Sequence, residues 1–536
     1  MSSATIARTD GVHPEIHPAE PNQRRLALIS LSVMLGMIMA IIDTTIVNVA
    51  IAQIGGNLGA SLDEVGWVAT GYLLSAVIIM PLNGWLTARF GRKNYYAASV
   101  AIFTISSALC GTANNIWQLV AYRVIQGIGG GALQPTAQAI LFESFPPEKR
   151  AQGMALFGLG AMVGPAVGPL LGGYLVSNYN WPLIFYINVP IGIIAFFMAL
   201  TFIDDPHYIE KHEQPLDVFA LGLLTIGLAS LQYVLERGQH DDWFNSPLII
   251  VLSVASVAAL VMFIWRELKV PNPLVDLRVF ANRTFTAGNV VGIVTGFGLF
   301  GLSLILPLFM QQLLGWDAWQ TGVALLPGAL ATALSMLVIG RLSGRVDARL
   351  IMAAGLAMFA FSTWAMSHLT QQSGFWDIFW PRAWQGFALG FIFVPLSVVT
   401  ISALRRDQIA NATGIGTLLR QIGGSLGIAF LTTYLQADIQ SVYASLASQI
   451  NEGRSIVQQA IAAAAAKIMA TGATATAAHQ QALMQIAGQL QVNATTIAYE
   501  DLFRISALLF FVTLPAVLLL QKSRRSAAGP SPMAAE

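Results

Sequence analysis

Apolar stretches of about 20 residues follow one another from Leu26 to Leu520, separated by short polar, glycine-rich or proline-rich breaks. Each is long enough to cross a hydrocarbon core of roughly 30 Å as a helix. The runs between breaks predict spans at 26–51, 64–88, 94–112, 117–141, 151–177, 182–203, 217–236, 246–265, 284–312, 320–340, 350–369, 376–401, 408–435 and 501–521. The expected class is therefore all-α and polytopic, with fourteen spans and both ends of the chain on one side of a lipid bilayer. The first run is longer than a signal-peptide core and lacks a small-residue cleavage site in the expected place, so it reads as a retained span.

Charge orients these spans. With the termini placed in the cytoplasm, only Arg237, Arg454 and Lys467 among the loop cations fall on the outer side, and Arg123, Arg382, Arg420 and Arg504 fall within spans. That is the asymmetry of the positive-inside rule, and it predicts cytoplasmic tails at 1–25 and 522–536. Composition agrees: of 536 residues 55% are hydrophobic and 10% charged, where soluble chains carry roughly 25% charged residues.

A formal net charge of +1 supplies no basic face for nucleic acid. Cys110 is the sole cysteine, which excludes an internal disulfide and a cysteine metal cluster. His13 and His17 sit in a polar tail and suggest no metal site. No lysine follows a glycine, so a phosphate-binding GxxxxGK[ST] loop is absent. The polar residues of the spans are scattered rather than grouped as nucleophile, base and orienter, and no enzymatic site or cofactor is expected.

An internal repeat organises the chain. RVIQGIGGG from Arg123 recurs as RAWQGFALG from Arg382, an offset of 259 residues, and at that offset Gly164 and Gly168 fall on Gly423 and Gly427. GWLTARFGR at Gly84 is echoed by GRLSGRVDAR at Gly340, the offset slipping to 256. Six spans per half need only about 200 residues, and the surplus fits two extra spans between Leu216 and Trp265. The expected units are a six-helix bundle at 26–203, a linker with two extra spans at 204–283, and a second six-helix bundle at 284–521. The alanine- and glutamine-rich segment 436–499 within that second bundle predicts two helices outside the membrane.

These strings carry a family resemblance. GWLTARFGRK (84–93), LVAYRVIQGIGGG (119–131) and GLGAMVGPAVGPLLGG (158–173) resemble three signature motifs of the major facilitator superfamily. IIDTTIVNVAI (41–51), FYINVPIG (185–192) and LQYVLERGQHDDWF (231–244) narrow the resemblance to its fourteen-span drug:proton antiporters of the EmrB/QacA type. The resemblance implies a major-facilitator fold of two six-helix bundles plus two extra transmembrane helices. It further implies export of lipophilic or amphipathic small molecules against protons by alternating access. A location in the inner membrane follows, with a periplasmic adaptor (membrane fusion protein) and an outer-membrane channel as partners in a Gram-negative envelope. Ala88 departs from the family pattern, where an acidic residue is usual.

Candidate residues follow from polarity at depth. Asp43 lies beyond the middle of the first span, where an ionised carboxylate costs on the order of 2.5–3.5 kcal/mol, so it is paired or protonated. It is the candidate proton carrier, the alternative being a structural carboxylate bonded to Thr44, Thr45 or Asn48. Arg123 shares a helix face with Gln126 and, always protonated, is the fixed cation whose pairing changes with conformation. Asn48, Gln126, Arg382, Gln385 and Arg420 are candidates for the substrate cavity or its charge balance, Arg420 either binding an anionic group or balancing an acid. Gly84, Arg89, Gly91 and Arg92 form a candidate gate on the inner side. Gly164, Pro165, Gly168, Pro169, Gly172 and Gly173 form a candidate seam in a proline-bent helix. Glu236 and Arg237 read as an outer interface pair. Two other functions keep the fold: an importer or facilitator of a metabolite, and a non-transporting sensor.

Overall fold

The computed structural model describes residues 23–206, 215–342, 345–449, 455–518 and 520. The tails beyond Gln23 and Leu520, with His13 and His17, lie outside the described residues, as does Arg454. Among the described residues the chain is helical and has no strand. The first half contains α1 (Gln23–Leu58), α2 (Leu62–Ile79), α3 (Asn83–Phe90), α4 (Arg92–Cys110), α5 (Ile116–Ser144), α6 (Arg150–Asn178), α7 (Leu183–Tyr186) and α8 (Asn188–Phe202). Two further long helices follow, α9 (Val218–Arg237) and α10 (Pro247–Lys269). The second half contains α11 (Arg283–Gln312), α12 (Ala318–Leu342), α13 (Ala348–Met366), α14 (Phe375–Ser402), α15 (Ile409–Gln449), α16 (Ser455–Met469) and α17 (Ala475–Leu518).

Local chemistry sets several starts. Ser61 and Glu64 form a reciprocal capping box ahead of α2. Asn115 and Asn282 accept backbone N–H groups at the starts of α5 and α11. Eleven helical stretches among the described residues are long and apolar enough to cross a membrane, which makes this a multi-pass membrane protein. α4, α5 and α17 are also long enough to cross a membrane.

The helices run alternately between two ends, called here the base, where α1 begins, and the rim, where it ends. One apolar core at the base joins both halves, with Val33, Met37 and Phe157 from the first packed with Met336, Phe393 and Ile409 from the second. Towards the rim the first half keeps a core of its own, built on Ile46, Val65 and Trp181. The second half has another, built on Phe309, Phe359 and Phe503. The two halves thus share one apolar core at the base and keep separate cores towards the rim.

The repeat is visible at the base. Gln138 donates to Ser397 at 3.4 Å, and the two are 259 positions apart, the offset of the repeat itself. Equivalent positions that touch must lie on the axis relating the halves. The closure is built twice around the same glycine. A Cβ on Gly84 would meet Asn411 Cβ at 2.8 Å, and one on its counterpart Gly340 would meet Ala155 Cβ at 3.0 Å. Asn83 tightens the first contact by donating to the Ala410 carbonyl at 2.7 Å and accepting from Thr136 at 2.6 Å.

α9 spans the edge between the halves. Its Tyr233 ring lies 5.6 Å from Trp67 of α2, and its Gln232 donates to Ser425 of α15 at 2.8 Å. The expected Glu236–Arg237 pair is not formed. Glu236 accepts from Gln232 at 3.0 Å, while Arg237 reaches back to Asp63 at 3.8 Å. Neighbours in sequence point about 100° apart on a helix and so meet different partners.

The segment 436–499 corrects the expected boundaries. α15 runs unbroken for 41 residues and α17 for 44, about 60 Å each or more at 1.5 Å per residue, twice a hydrocarbon core. Both therefore project past the rim, and only α16 is separate, packed through Ile461 and Ala465 against Ala478 and Ala482 of α17. Alanine and glutamine continue a helix as readily as they start one, so composition marked the exit from lipid and not a break.

If the paired glycines hold the base shut, Gly84→Val together with Gly340→Val should open it. A cysteine placed at Ser397 should then react several-fold faster with a maleimide added at the base; unchanged labelling would show that other contacts close this end.

Candidate functional site

Five helices of the first half converge on Asp43, twenty residues and about 30 Å along α1. The carboxylate is fully buried. Arg123 of α5, 1% exposed, donates through Nη1 to Oδ2 in a short ion-paired contact. Gln126, one turn on, donates to Oδ1 at 2.9 Å and accepts from Arg123 at 2.8 Å. Asn188, the first residue of α8, donates to Oδ1 at 2.9 Å and to Ser107 of α4 at 3.1 Å.

Arg123 is held on its other sides as well. Its Nε donates to the Val68 carbonyl of α2 at 3.1 Å, and its guanidinium carbon lies 4.4 Å from the Tyr72 ring centre. Cys110 donates to Gln126 at 3.6 Å. The alternative partners of Asp43 are not used. Thr44 and Thr45 turn their hydroxyls to the carbonyls of Ile41 and Ile42, and Asn48, expected near the site, is exposed on α1. Asn188 and Ser107 were not foreseen, since an asparagine at a helix start and a serine in a span look ordinary until the fold joins them.

Glycines bring these helices together. A Cβ on Gly127 would fall 2.0 Å from Ser75 Oγ, which places α5 hard against α2. On α6, side chains at Gly160, Gly164, Gly168 and Gly172 would strike Met37, Ile41, Thr45 and Ile46, all within 2.8 Å. This four-residue period makes one smooth stripe facing α1, and Thr45 fastens it by donating to the Gly164 carbonyl at 3.2 Å. Gly173 has open space around it and does not belong to the stripe. Pro169 is exposed, and the side chain of Pro165 lies outside the described residues.

The other candidates lie elsewhere. In the turn between α3 and α4, Gly91 adopts φ +80°, and a Cβ there would sit 2.5 Å from the Asp205 carboxylate. Asp205 accepts from the Lys93 N–H at 2.9 Å, and Arg92 forms a two-pronged pair with Glu143 of α5 at 2.9 and 3.0 Å. Glu143 and Asp205 thus supply acids to a motif that lacks one at Ala88; Arg89 is exposed. In the second half Arg382 donates to Gln385 at 2.5 Å, reproducing the Arg123–Gln126 arrangement without an acid. Arg420 lies over Phe393, 4.9 Å from its ring centre. Among the described residues no group of His, Cys, Asp and Glu could hold a metal ion.

The family model described as Major Facilitator Superfamily matches residues 33–428. The chain belongs to that superfamily. It is 34% identical over 494 residues to "Multidrug export protein EmrB" of Escherichia coli, covering 92% of this chain and 95% of that one. It is 33% identical over 511 residues to "Fatty acid resistance protein FarB" of Neisseria gonorrhoeae, covering 94% and 98%. Among solved structures, the human organic anion transporter MFSD10 (TETRAN) superposes with TM-score 0.57 at 14% identity, covering 91% of this chain and all of that one. The proton:xylose symporter XylE gives the same TM-score at 13% identity, covering 92% and 97%. This superfamily is one of transporters, and the chain is a transporter rather than an enzyme.

Removing one member of a buried ion pair strands the other, at a cost of about 3–5 kcal/mol. Asp43→Asn and Arg123→Gln should each lower the melting temperature of the detergent-solubilised protein. The double variant should recover part of the loss, because the stranded charge is gone. Strictly additive losses would mean that the two side chains do not act on each other.

Proposed function

We propose that this protein is a proton-coupled exporter of lipophilic or amphipathic small molecules, with Asp43 as the proton carrier and Arg123 as its fixed counter-charge. The observation that carries this is a carboxylate with no solvent exposure, held by a permanent cation and two amides at membrane depth. While the pair is closed, the cation and both amides meet the charge of the carboxylate. Separating α1 from α5 removes the cation, leaves the carboxyl in an apolar setting, and favours proton uptake. Proton affinity thus depends on helix position, which is the requirement for coupling protons to alternating access.

Kinship to an export protein and a resistance protein supports outward transport. The importer and sensor readings gain no support from the site, where an intact acid and cation are both present. We further assign fourteen spans, counting α4, α5 and α17 with the eleven stretches above. The base faces the cytoplasm, where the positive-inside rule puts it, and the membrane is the inner one. Two bundles at 26–203 and 284–521 then rock against each other, with α9 and α10 of 204–283 beside them. The lengths of α15 and α17 support a helical projection on the outer face. It suits a periplasmic adaptor, itself leading to an outer-membrane channel.

In unbuffered detergent solution, adding a transported compound should release protons from the native protein, and Asp43→Asn should release none. Proton release from the variant equal to that of the native chain would remove Asp43 from the mechanism. Replacing 455–469 by a short flexible linker should abolish co-purification with an adaptor while leaving compound binding intact. Loss of binding as well would make the projection part of the bundle's own support.

A further inference from the structure

The second half holds two guanidiniums at membrane depth, Arg382 and Arg420, and among the described residues neither forms an ion pair. Arg382 is wedged in a wall: it donates to Gln385, and its Nε would be 2.7 Å from a Cβ on Gly328 of α12. Both are partly exposed. Arg420 differs in that, among the described residues, its guanidinium has no hydrogen-bonding side chain like Gln385 and lies against the ring of Phe393. Phe393 in turn stacks on Phe157 of α6, ring centres 5.7 Å apart, so the guanidinium sits where the two halves meet. It lies eleven residues, about 17 Å, from the start of α15 at the base, beside the apolar core that both halves share. The equivalent position in the first half, 259 residues earlier, is Ala161, so the cation has no twin.

Building on the export reading above, we propose that Arg420 is the head-group subsite of the transported compound, and that its substrates are lipophilic anions, a carboxylate or sulfonate carried on an apolar body. A guanidinium does not lose its charge at any working pH, and leaving one uncompensated at this depth is costly. The Phe393 ring occupies one side of it. Among the described residues its N–H fork holds no ion pair, and such a fork fits two oxygens of an acid side by side. Phe157, Phe393 and Met336, which lies against Gly158, are buried and make an apolar bed beneath the guanidinium. A cationic amphipath here would meet a like charge in a medium of low dielectric constant. An acid of the protein's own, the other role open to Arg420, is not found beside it among the described residues.

The test uses the full chain in lipid nanodiscs and two probes with the same tail, dodecanesulfonate and dodecyltrimethylammonium, measured by equilibrium dialysis. A charge-assisted pair predicts that the sulfonate binds about tenfold or more tighter, that Arg420→Gln loses about that factor, and that Arg420→Lys keeps most of it. Equal binding of the two probes, a preference for the ammonium, or native affinity for the sulfonate in Arg420→Gln would overturn the assignment. Should Arg420→Gln fail to assemble, the comparison of probes on the native chain decides alone. Proteoliposomes with an imposed pH gradient separate this from the export reading. Sulfonate that binds through Arg420 and is never moved refutes export and upholds the subsite. Ammonium moved equally well by native chain and Arg420→Gln upholds export and refutes the subsite.

Discussion

A guanidinium inside a membrane protein keeps its charge, and its surroundings have to meet that charge in every conformation. In the first half Arg123 is met completely, by Asp43, Gln126, the Val68 carbonyl and the face of Tyr72. Much of that half serves the arrangement. Gly127 lets α2 come close enough for its carbonyl and ring to reach the cation. The glycine stripe of α6 holds α1 in the register that puts Asp43 opposite Arg123, and Asn188 at the head of α8 closes the last open side of the carboxylate.

The duplicated half repeats the cation and amide, as Arg382 and Gln385, and omits the acid. At the offset that relates the two arginines, Asp43 falls on Leu302, a buried residue of α11. Duplication therefore preserved the scaffold of the Arg–Gln turn while the chemistry diverged. One half carries a buried charge pair, and the other carries Arg382 and Arg420, which form no ion pair among the described residues. A substrate that supplies the missing negative charge would engage the second half and leave Asp43 of the first to the proton. The two cargoes would then load different halves of the chain.

Much of this was legible in the chain. Depth in a span singled out Asp43 and Arg123, the spacing of three placed Gln126 with Arg123, and the repeat foretold two related halves whose equivalent residues, Gln138 and Ser397, meet on the axis. What stayed hidden depends on distant parts of the chain coming together. Asn188 lies 145 positions from Asp43, Glu143 lies 51 from Arg92, and Asp205 lies 112 from Lys93. No local pattern distinguishes such residues from their neighbours. Proximity in sequence misled in the opposite sense at Asn48 and at Glu236–Arg237, since residues next to one another on a helix face different ways. The unbroken length of α15 and α17 escaped because a change in composition marks a change of solvent, and helix termination needs a glycine, proline or cap that the borders at 436 and 499 lack.

The seam between α1 and α6 gives these local facts a mechanical consequence. α6 meets α1 through Gly160, Gly164, Gly168 and Gly172, and it meets the second half through Ala155 against Gly340, Gly158 against Met336, and Phe157 against Phe393. One helix therefore touches the element that bears the acid and the core that joins the halves at the base. Glycine on the α1 side lets Met37, Ile41, Thr45 and Ile46 seat directly on the α6 backbone, and the Thr45–Gly164 bond fixes that register. The opposite contacts interdigitate Met, Phe and Ala, which resist sliding and separate as a unit. α1 itself enters that base core through Val33 and Met37, so a shift of α1 that parted Asp43 from Arg123 would be felt at the base as well. Opening the base would need α6 to carry its larger side chains away from α12 and α14. Through α1 and α6 the buried ion pair and the contacts that join the halves are mechanically linked.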